Sequence, residues 1–233
     1  YTYGNLSVKE ACRFDSENFL LVMGNGSTSD GLYKFNITTH TFNLVQFFDN
    51  PNFIKLCSDN NTYFVGGQFN GLLSSTDGNT WTEVPYFNSK GCTQMAIYVQ
   101  HLVINQNNNI HATYYSSDAG NTWAQSANTD LINDISFSNN GTLYGVFPGM
   151  SYSSGLYISN DFGETWAVSF YTSNLNSVGF DVTGDIMIGW RNLYPPALGI
   201  AGFNPAGSVC TYYNAGLPNK MINKIQTNPI LSS

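Results

Sequence analysis

Short apolar runs broken by Gly, Asn, Ser and Thr recur along the whole chain. None lengthens into a helical repeat or approaches the roughly 18 apolar residues of a membrane span. Where the runs are clearest they alternate with the period of a β-strand. Residues 155–158 and 165–170 flank one polar turn, and residues 131–137 and 142–146 flank another. Alternating runs on either side of a Gly-bearing turn read as antiparallel hairpins. First strands of such units are predicted to begin near Val8, Ile54, Gln94, Asn133, Ser177 and Met221.

Three turns are spelled almost alike: SSTDGNTW (residues 74–81), SSDAGNTW (116–123) and SNDFGETW (159–166). A spacing of about 42 residues marks one supersecondary unit repeated in space. The chemistry of each copy is that of a latched turn. Asp and Ser bond their own nearby backbone, Gly supplies a positive φ, and the Trp packs over the loop. The latch residues are Ser74, Asp77 and Trp81, then Ser116, Asp118, Gly120 and Trp123, then Ser159, Asp161, Gly163 and Trp166. In the first copy Thr76 stands at the Asp position and Asp77 lies one place along. Two worn copies, residues 31–42 and 199–210, keep parts of the frame, so the anchors become Phe42, Trp81, Trp123, Trp166 and Cys210.

Four strands in about 42 residues is the size of one propeller blade. The sequence therefore predicts an all-β protein, a β-propeller of four-stranded antiparallel blades forming a single domain over residues 1–233. Five repeats are full and a sixth is partial, because residues 221–225 echo residues 131–135. A six-position ring, closed with help from residues 1–4, is the preferred reading, and a five-bladed ring is the alternative.

The pattern S-x-D-x-G-x-T-W resembles the Asp-box (BNR) repeat of the sialidase-like β-propeller superfamily, whose members include lectins, sorting receptors and glycoside hydrolases. Two copies match in full and one nearly, and the period extends the resemblance over almost the whole chain. The resemblance implies that the box lies on the turn between third and fourth strands, opposite the usual ligand face, with a structural role. It also implies that a sialidase would carry three arginines on the substrate carboxylate, with a Tyr and Glu nucleophile pair. Only Arg13 and Arg191 are present. Sialidase activity is disfavoured.

Composition agrees with a secreted protein. Gly is frequent at 22 residues, aromatics reach 15% and charged residues only 10%. A net charge of −7 with eight Lys plus Arg argues against binding nucleic acid. Sequons for N-glycosylation occur at Asn5, Asn25, Asn36, Asn60 and Asn140. Cys12, Cys57, Cys92 and Cys210 allow three disulfide pairings, or serve as small buried residues. A first residue Tyr1 in place of Met fits a processed chain at the extracellular surface.

Candidate chemistry is sparse. Asp134 and Asp181 lie near first strands and are the carboxylates a glycoside hydrolase would need to pair. The histidines have no metal-ligand spacing, and no cofactor motif occurs. A calcium ion on the turn at residues 58–61 has only slight support. Loops that differ between blades hold better candidates. Trp190 is the only Trp outside the repeat, and Arg191, Asn192 and Tyr194 follow it; Asn108, His111 and Tyr152 sit on equivalent loops. An aromatic ring beside amide and guanidinium donors suits a sugar, although Trp190 reads first as a strand end packed in the core. The expected function is therefore recognition of a glycan or extracellular polymer without catalysis. The alternatives are a glycoside hydrolase and a structural unit that assembles through the incomplete last blade.

Overall fold

The structure, a computed structural model, describes residues 7–24, 30–47, 55–58, 62–67, 71–88, 90–107, 111–127, 132–147, 154–181, 183–190, 199–204, 209–212 and 225. Blade 1 comprises β1 (Ser7–Arg13), β2 (Asn18–Gly24), β3 (Gly31–Asn36) and β4 (Thr41–Phe47). Blade 2 comprises β5 (Lys55–Ser58), β6 (Tyr63–Gly67), β7 (Gly71–Ser75) and β8 (Thr82–Glu83). Blade 3 comprises β9 (Gln94–Tyr98), β10 (His101–Asn107), β11 (His111–Ser116) and β12 (Ala124–Gln125). Blade 4 comprises β13 (Asp134–Phe137), β14 (Leu143–Phe147), β15 (Gly155–Ser159) and β16 (Ala167–Tyr171). Blade 5 comprises β17 (Leu175–Phe180), β18 (Ile186–Trp190), β19 (Ile200–Asn204) and β20 (Val209–Tyr212).

Each blade is a four-stranded sheet in chain order, and the strand pairings described are antiparallel. The five full repeats are thus five sheets. The predicted sixth unit lies outside the described residues apart from Ile225. The one helical feature among the described residues is a 3-10 turn, Pro85–Phe87, between blades 2 and 3. The chain divides into two compact units, Tyr1–Ala124 and Gln125–Ser233.

Burial explains why the second strands lack alternation. Strands β6 and β14 are buried at every position, whereas the fourth strands β8 and β12 are exposed throughout. A strand covered on both faces selects apolar residues at consecutive positions, while the outer edge is wetted and tolerates polar ones. In the first unit, Leu20, Val22 and Leu32 of blade 1 pack with Tyr63 and Val65 of blade 2. Blades 2 and 3 close over Phe64, Leu72, Phe87, Cys92, Leu102 and Ile104. In the second unit, Val146 and Leu156 of blade 4 pack with Leu175, Ile188 and Phe203 of blade 5.

Two glycines show why a third strand opens as it does. A Cβ on Gly31 would strike the carbonyl of Gln46, and one on Gly155 would strike that of Phe170. Both sit beside a bulge in the pairing of third and fourth strands. The bulge brings the outer backbone so close that only Gly fits.

Candidate functional site

The repeated turns join third to fourth strands and are held by local hydrogen bonds. In blade 4 the Ser159 hydroxyl donates to Asp161 Oδ1 at 2.8 Å and accepts from the Gly163 N–H at 2.8 Å, while the Thr165 N–H reaches Asp161 Oδ1 at 2.9 Å. Blade 3 repeats the set with Ser116, Asp118, Gly120 and Thr122. Blade 2 corrects the sequence reading by one residue. Ser75, not Ser74, donates to Asp77 and accepts from Gly78 N–H at 2.8 Å. That turn is one residue tighter, so the latch slides forward by one. In blade 1 the worn copy keeps its logic with an amide. Asn36 Oδ1 accepts from the N–H groups of Thr38 and Thr39 at 3.0 and 2.8 Å.

Donors converging on a carboxylate favour its ionised form. The N–H groups of Thr80 and Asn79 bring Asp77 down to about 2, and the Thr122 hydroxyl and N–H lower Asp118. Asp161 is lowered as well, its bonds from Thr165 and Ser159 outweighing the opposing effect of burial. The tryptophans find different partners: Trp123 Nε1 donates to the Gly120 carbonyl at 2.9 Å, and Trp166 Nε1 to the Ser126 hydroxyl at 3.1 Å. These residues hold their turns through bonds within each turn or to a neighbouring segment.

Asp134 and Asp181 do not converge. Asp134 Oδ2 accepts from the Ser177 hydroxyl at 2.7 Å and the Val178 N–H at 3.1 Å, tying β13 to β17. Asp181 lies just beyond the far end of β17, three residues on and so roughly 10 Å along the strand. Its Oδ1 accepts from Thr183 N–H, Thr183 hydroxyl and Asp185 N–H, at 2.9, 2.7 and 2.9 Å. The Thr183 hydroxyl is the foremost cause that holds its carboxyl below the usual range.

Trp190 is 2% exposed and belongs to the apolar core between blades 4 and 5. Its indole is packed inside, where a strand-end aromatic was one of the two expectations. Arg191, Asn192, Tyr194, Asn108 and Tyr152 lie outside the described residues, as does the side chain of His111. So do Asn5, Asn25 and Asn60 and the turn at residues 59–61. Asn36 is half-buried and its amide donates to Asn18 Oδ1 at 3.2 Å; Asn140 is exposed, with its oxygen taken by the Thr142 N–H at 3.2 Å. Cys12 and Cys92 are thiols outside any disulfide, and Cys92 is fully buried; the side chains of Cys57 and Cys210 are not among those described.

What sequence reading missed lies at the loop end of blade 3. Counting rungs back from the loop between second and third strands, the second rung is Val22/Leu32 in blade 1, Val146/Leu156 in blade 4 and Ile188/Ala201 in blade 5. In blade 3 it is Gln106/Ala112. The third rung, Leu21/Tyr33 in blade 1, becomes Asn105/Thr113. Asn105 and Thr113 are fully buried, and Gln106 is 6% exposed. Asn105 donates to Thr113 Oγ1 at 3.2 Å and accepts from the Thr93 hydroxyl at 3.3 Å. Counted from the latch serines Ser116 and Ser159, Asn105/Thr113 stands where blade 4 has Val146/Leu156, so a polar network has replaced the core at that rung, with Gln106 on the next. The signal was the break in apolar spelling at residues 105–107, which read as the onset of a loop.

No family model and no curated protein matches the sequence. Among solved structures the chain is similar to an ancestral GH74 enzyme, with a TM-score of 0.68 at 15% identity over 92% of this chain and 32% of the enzyme. It is similar to YCF48 bound to D1 peptide, with a TM-score of 0.60 at 16% identity over 89% of this chain and 69% of that one. The extracellular domain of a two-component system of B. thetaiotaomicron gives 0.63 at 16% identity, over 91% of this chain and 28% of that one. The fold is a β-propeller. The chain spans about a third of the GH74 enzyme, and identities this low carry the fold alone.

Proposed function

We propose that this propeller is an extracellular recognition module that binds carbohydrate at the loop end of its blades and performs no chemistry on it. The observation that carries the reading is the buried polar rung Asn105/Thr113 in blade 3, with Gln106 beside it. Burying amides and hydroxyls where other blades bury Val and Leu costs stability unless every group is satisfied. Function is a sufficient reason to keep them. Neutral amides and hydroxyls are also the groups that match sugar hydroxyls without charge. The turn geometry at Asp77, Asp118 and Asp161 supports the Asp-box reading, in which the opposite face carries the ligand. The carboxylates Asp134 and Asp181, the pair a glycosidase would need, are committed to separate structural roles. Secretion, glycosylation at Asn140 and a lectin-like role belong to the same proposal, which the extracellular neighbour supports only through its fold.

The test is a glycan and extracellular-polymer array probed with the whole chain, followed by calorimetry on each hit. Saturable binding with no turnover of chromogenic glycosides is expected. Absence of binding to every polymer, or turnover that Asp134→Asn abolishes, would overturn the proposal.

A further inference from the structure

Between Val84 and Ser117 the chain contains no Asp or Glu. This run covers the linker after blade 2 and the first three strands of blade 3. Its one Lys or Arg is Lys90, and no other follows until Arg191. In a chain of net charge −7, an acid-free stretch around a single cation is a local reversal of sign.

The side chain of Lys90 is placed on aromatic surface. Its ammonium stands 3.9 Å from the centroid of Tyr86 and 5.8 Å from that of Tyr114. Both rings meet edge-on at 5.5 Å, and Phe87 anchors them from beneath, fully buried between blades 2 and 3. Tyr86 itself is 39% exposed. Lys34 offers the contrast within the same unit: it stands 3.8 Å over Phe14, but it acts on the neighbouring Asp15 carboxylate, whose pKa it helps lower. Among the described residues Lys90 meets rings and no carboxylate.

Gln106 shares this face. Leu102 and Ile104, two and four residues before it on β10, and Ala112 and Tyr114 on β11 all belong to the core that includes Phe87. Strand alternation puts Gln106 on the same side. Its rung partner is Ala112, which leaves the amide without a large neighbour across the rung. The side chain is only 6% exposed, so its amide lies within the wall of this core. An amide at the edge of an apolar core offers both a donor and an acceptor to a ligand that reaches it.

We infer that Tyr86, Lys90, Gln106 and Tyr114 form a subsite for a saccharide bearing an anionic group, carboxylate or sulfate. The inference rests on the carbohydrate reading above and adds the sign of the ligand. Lys90 pairs with the anion, Tyr86 meets the C–H face of the ring, and the Gln106 amide takes a hydroxyl or ring oxygen. Desolvation by the rings strengthens the ionic contact relative to an exposed lysine.

Calorimetry on the whole chain with a uronate oligosaccharide, a sulfated oligosaccharide and their uncharged counterpart tests this. The anionic forms bind more tightly than the neutral one, and added salt weakens that preference. Lys90→Ala removes the preference, lowering anionic affinity about tenfold while sparing the neutral sugar. Gln106→Leu weakens both, and an unchanged melting temperature or an increase shows that this is not unfolding. The uronate and sulfate arms report which anion fits. Equal binding of charged and neutral sugars, or full retention of preference in Lys90→Ala, overturns the inference and leaves the carbohydrate reading standing. Failure of every sugar overturns both.

Discussion

Truncating Asp134 should loosen the seam between blades 4 and 5 far more than neutralising it. Asp134 Oδ2 accepts two bonds from β17: the Ser177 hydroxyl at 2.7 Å and the Val178 N–H at 3.1 Å. Ser177 is fully buried, and its oxygen in turn accepts the Ile225 N–H at 2.6 Å. Hydrogen bonds to a charged group contribute about 1.5–3 kcal/mol each, and buried donors left unpaired keep their desolvation cost. Asp134→Ala therefore costs about 3–4 kcal/mol. Asp134→Asn keeps an acceptor oxygen for the same donors and loses only charge assistance, so it costs about 1 kcal/mol. At roughly 2–4 °C per kcal/mol for a chain of this size, the Ala variant melts about 10 °C lower and the Asn variant about 3 °C lower. Urea denaturation of both variants, with Ser177→Ala and the double variant to complete the cycle, measures the terms separately. The cycle should return a coupling of about 1–2 kcal/mol between positions 134 and 177. Equal losses in Asp134→Ala and Asp134→Asn, or a loss under about 0.5 kcal/mol in the former, would refute the assignment of Asp134 as a tie between blades.

Two further outcomes follow from the turns. Val99 is a β-branched residue at φ 54°, 63% exposed, at the tip of the hairpin between β9 and β10. A left-handed conformation costs a non-Gly residue about 1–2 kcal/mol, so Val99→Gly raises stability by about 0.5–1 kcal/mol after the added chain entropy, seen as a higher urea midpoint at constant slope. The turn carboxylates give an acid transition of definite sign. Asp77, Asp118, Asp161 and Asp181 all have folded values below 3.8, so their contribution is full above that pH and fades as pH falls through the folded values, about 2 for Asp77. Melting temperature should fall between pH 4 and pH 2, and the fall should shrink in Asp77→Asn; a curve unchanged by that variant would count against the latch.

How much of this was legible in the sequence depends on how far each interaction reaches along the chain. The latched turns join residues two to four apart, as from Ser159 to Asp161 and Gly163, so the spelling itself contains both partners. That is why the period, and through it the five sheets, could be counted. The shift from Ser74 to Ser75 shows the same locality: one residue fewer in the turn moved the whole latch. Trp190 marks where locality ends. Its residue type suggested a core residue first and a sugar platform second, and Leu156, Leu175 and Phe203 from other strands decided in favour of the core.

Gln106 is the opposite case and explains where function was hidden. An Asn–Gln–Asn run next to a loop looks like solvent-facing chain, because exposure is the ordinary state of amides. Leu102 and Ile104, on the same side of the strand as Gln106, pack into a core with Phe87 from the linker between blades 2 and 3. Repetition makes such a site findable only after the rungs are aligned. Blades 1, 4 and 5 bury apolar pairs in these rungs, and blade 3 is then read by its departure. In a repeated fold the shared residues report how a unit is built, whereas a residue that departs from the repeat calls for its own account. Asp134 by contrast has a visible structural role, since its Oδ2 accepts from Ser177 and Val178 within the seam. A carboxylate with such partners contributes order, whereas the role proposed for the Gln106 amide stands or falls with the sugar-binding test.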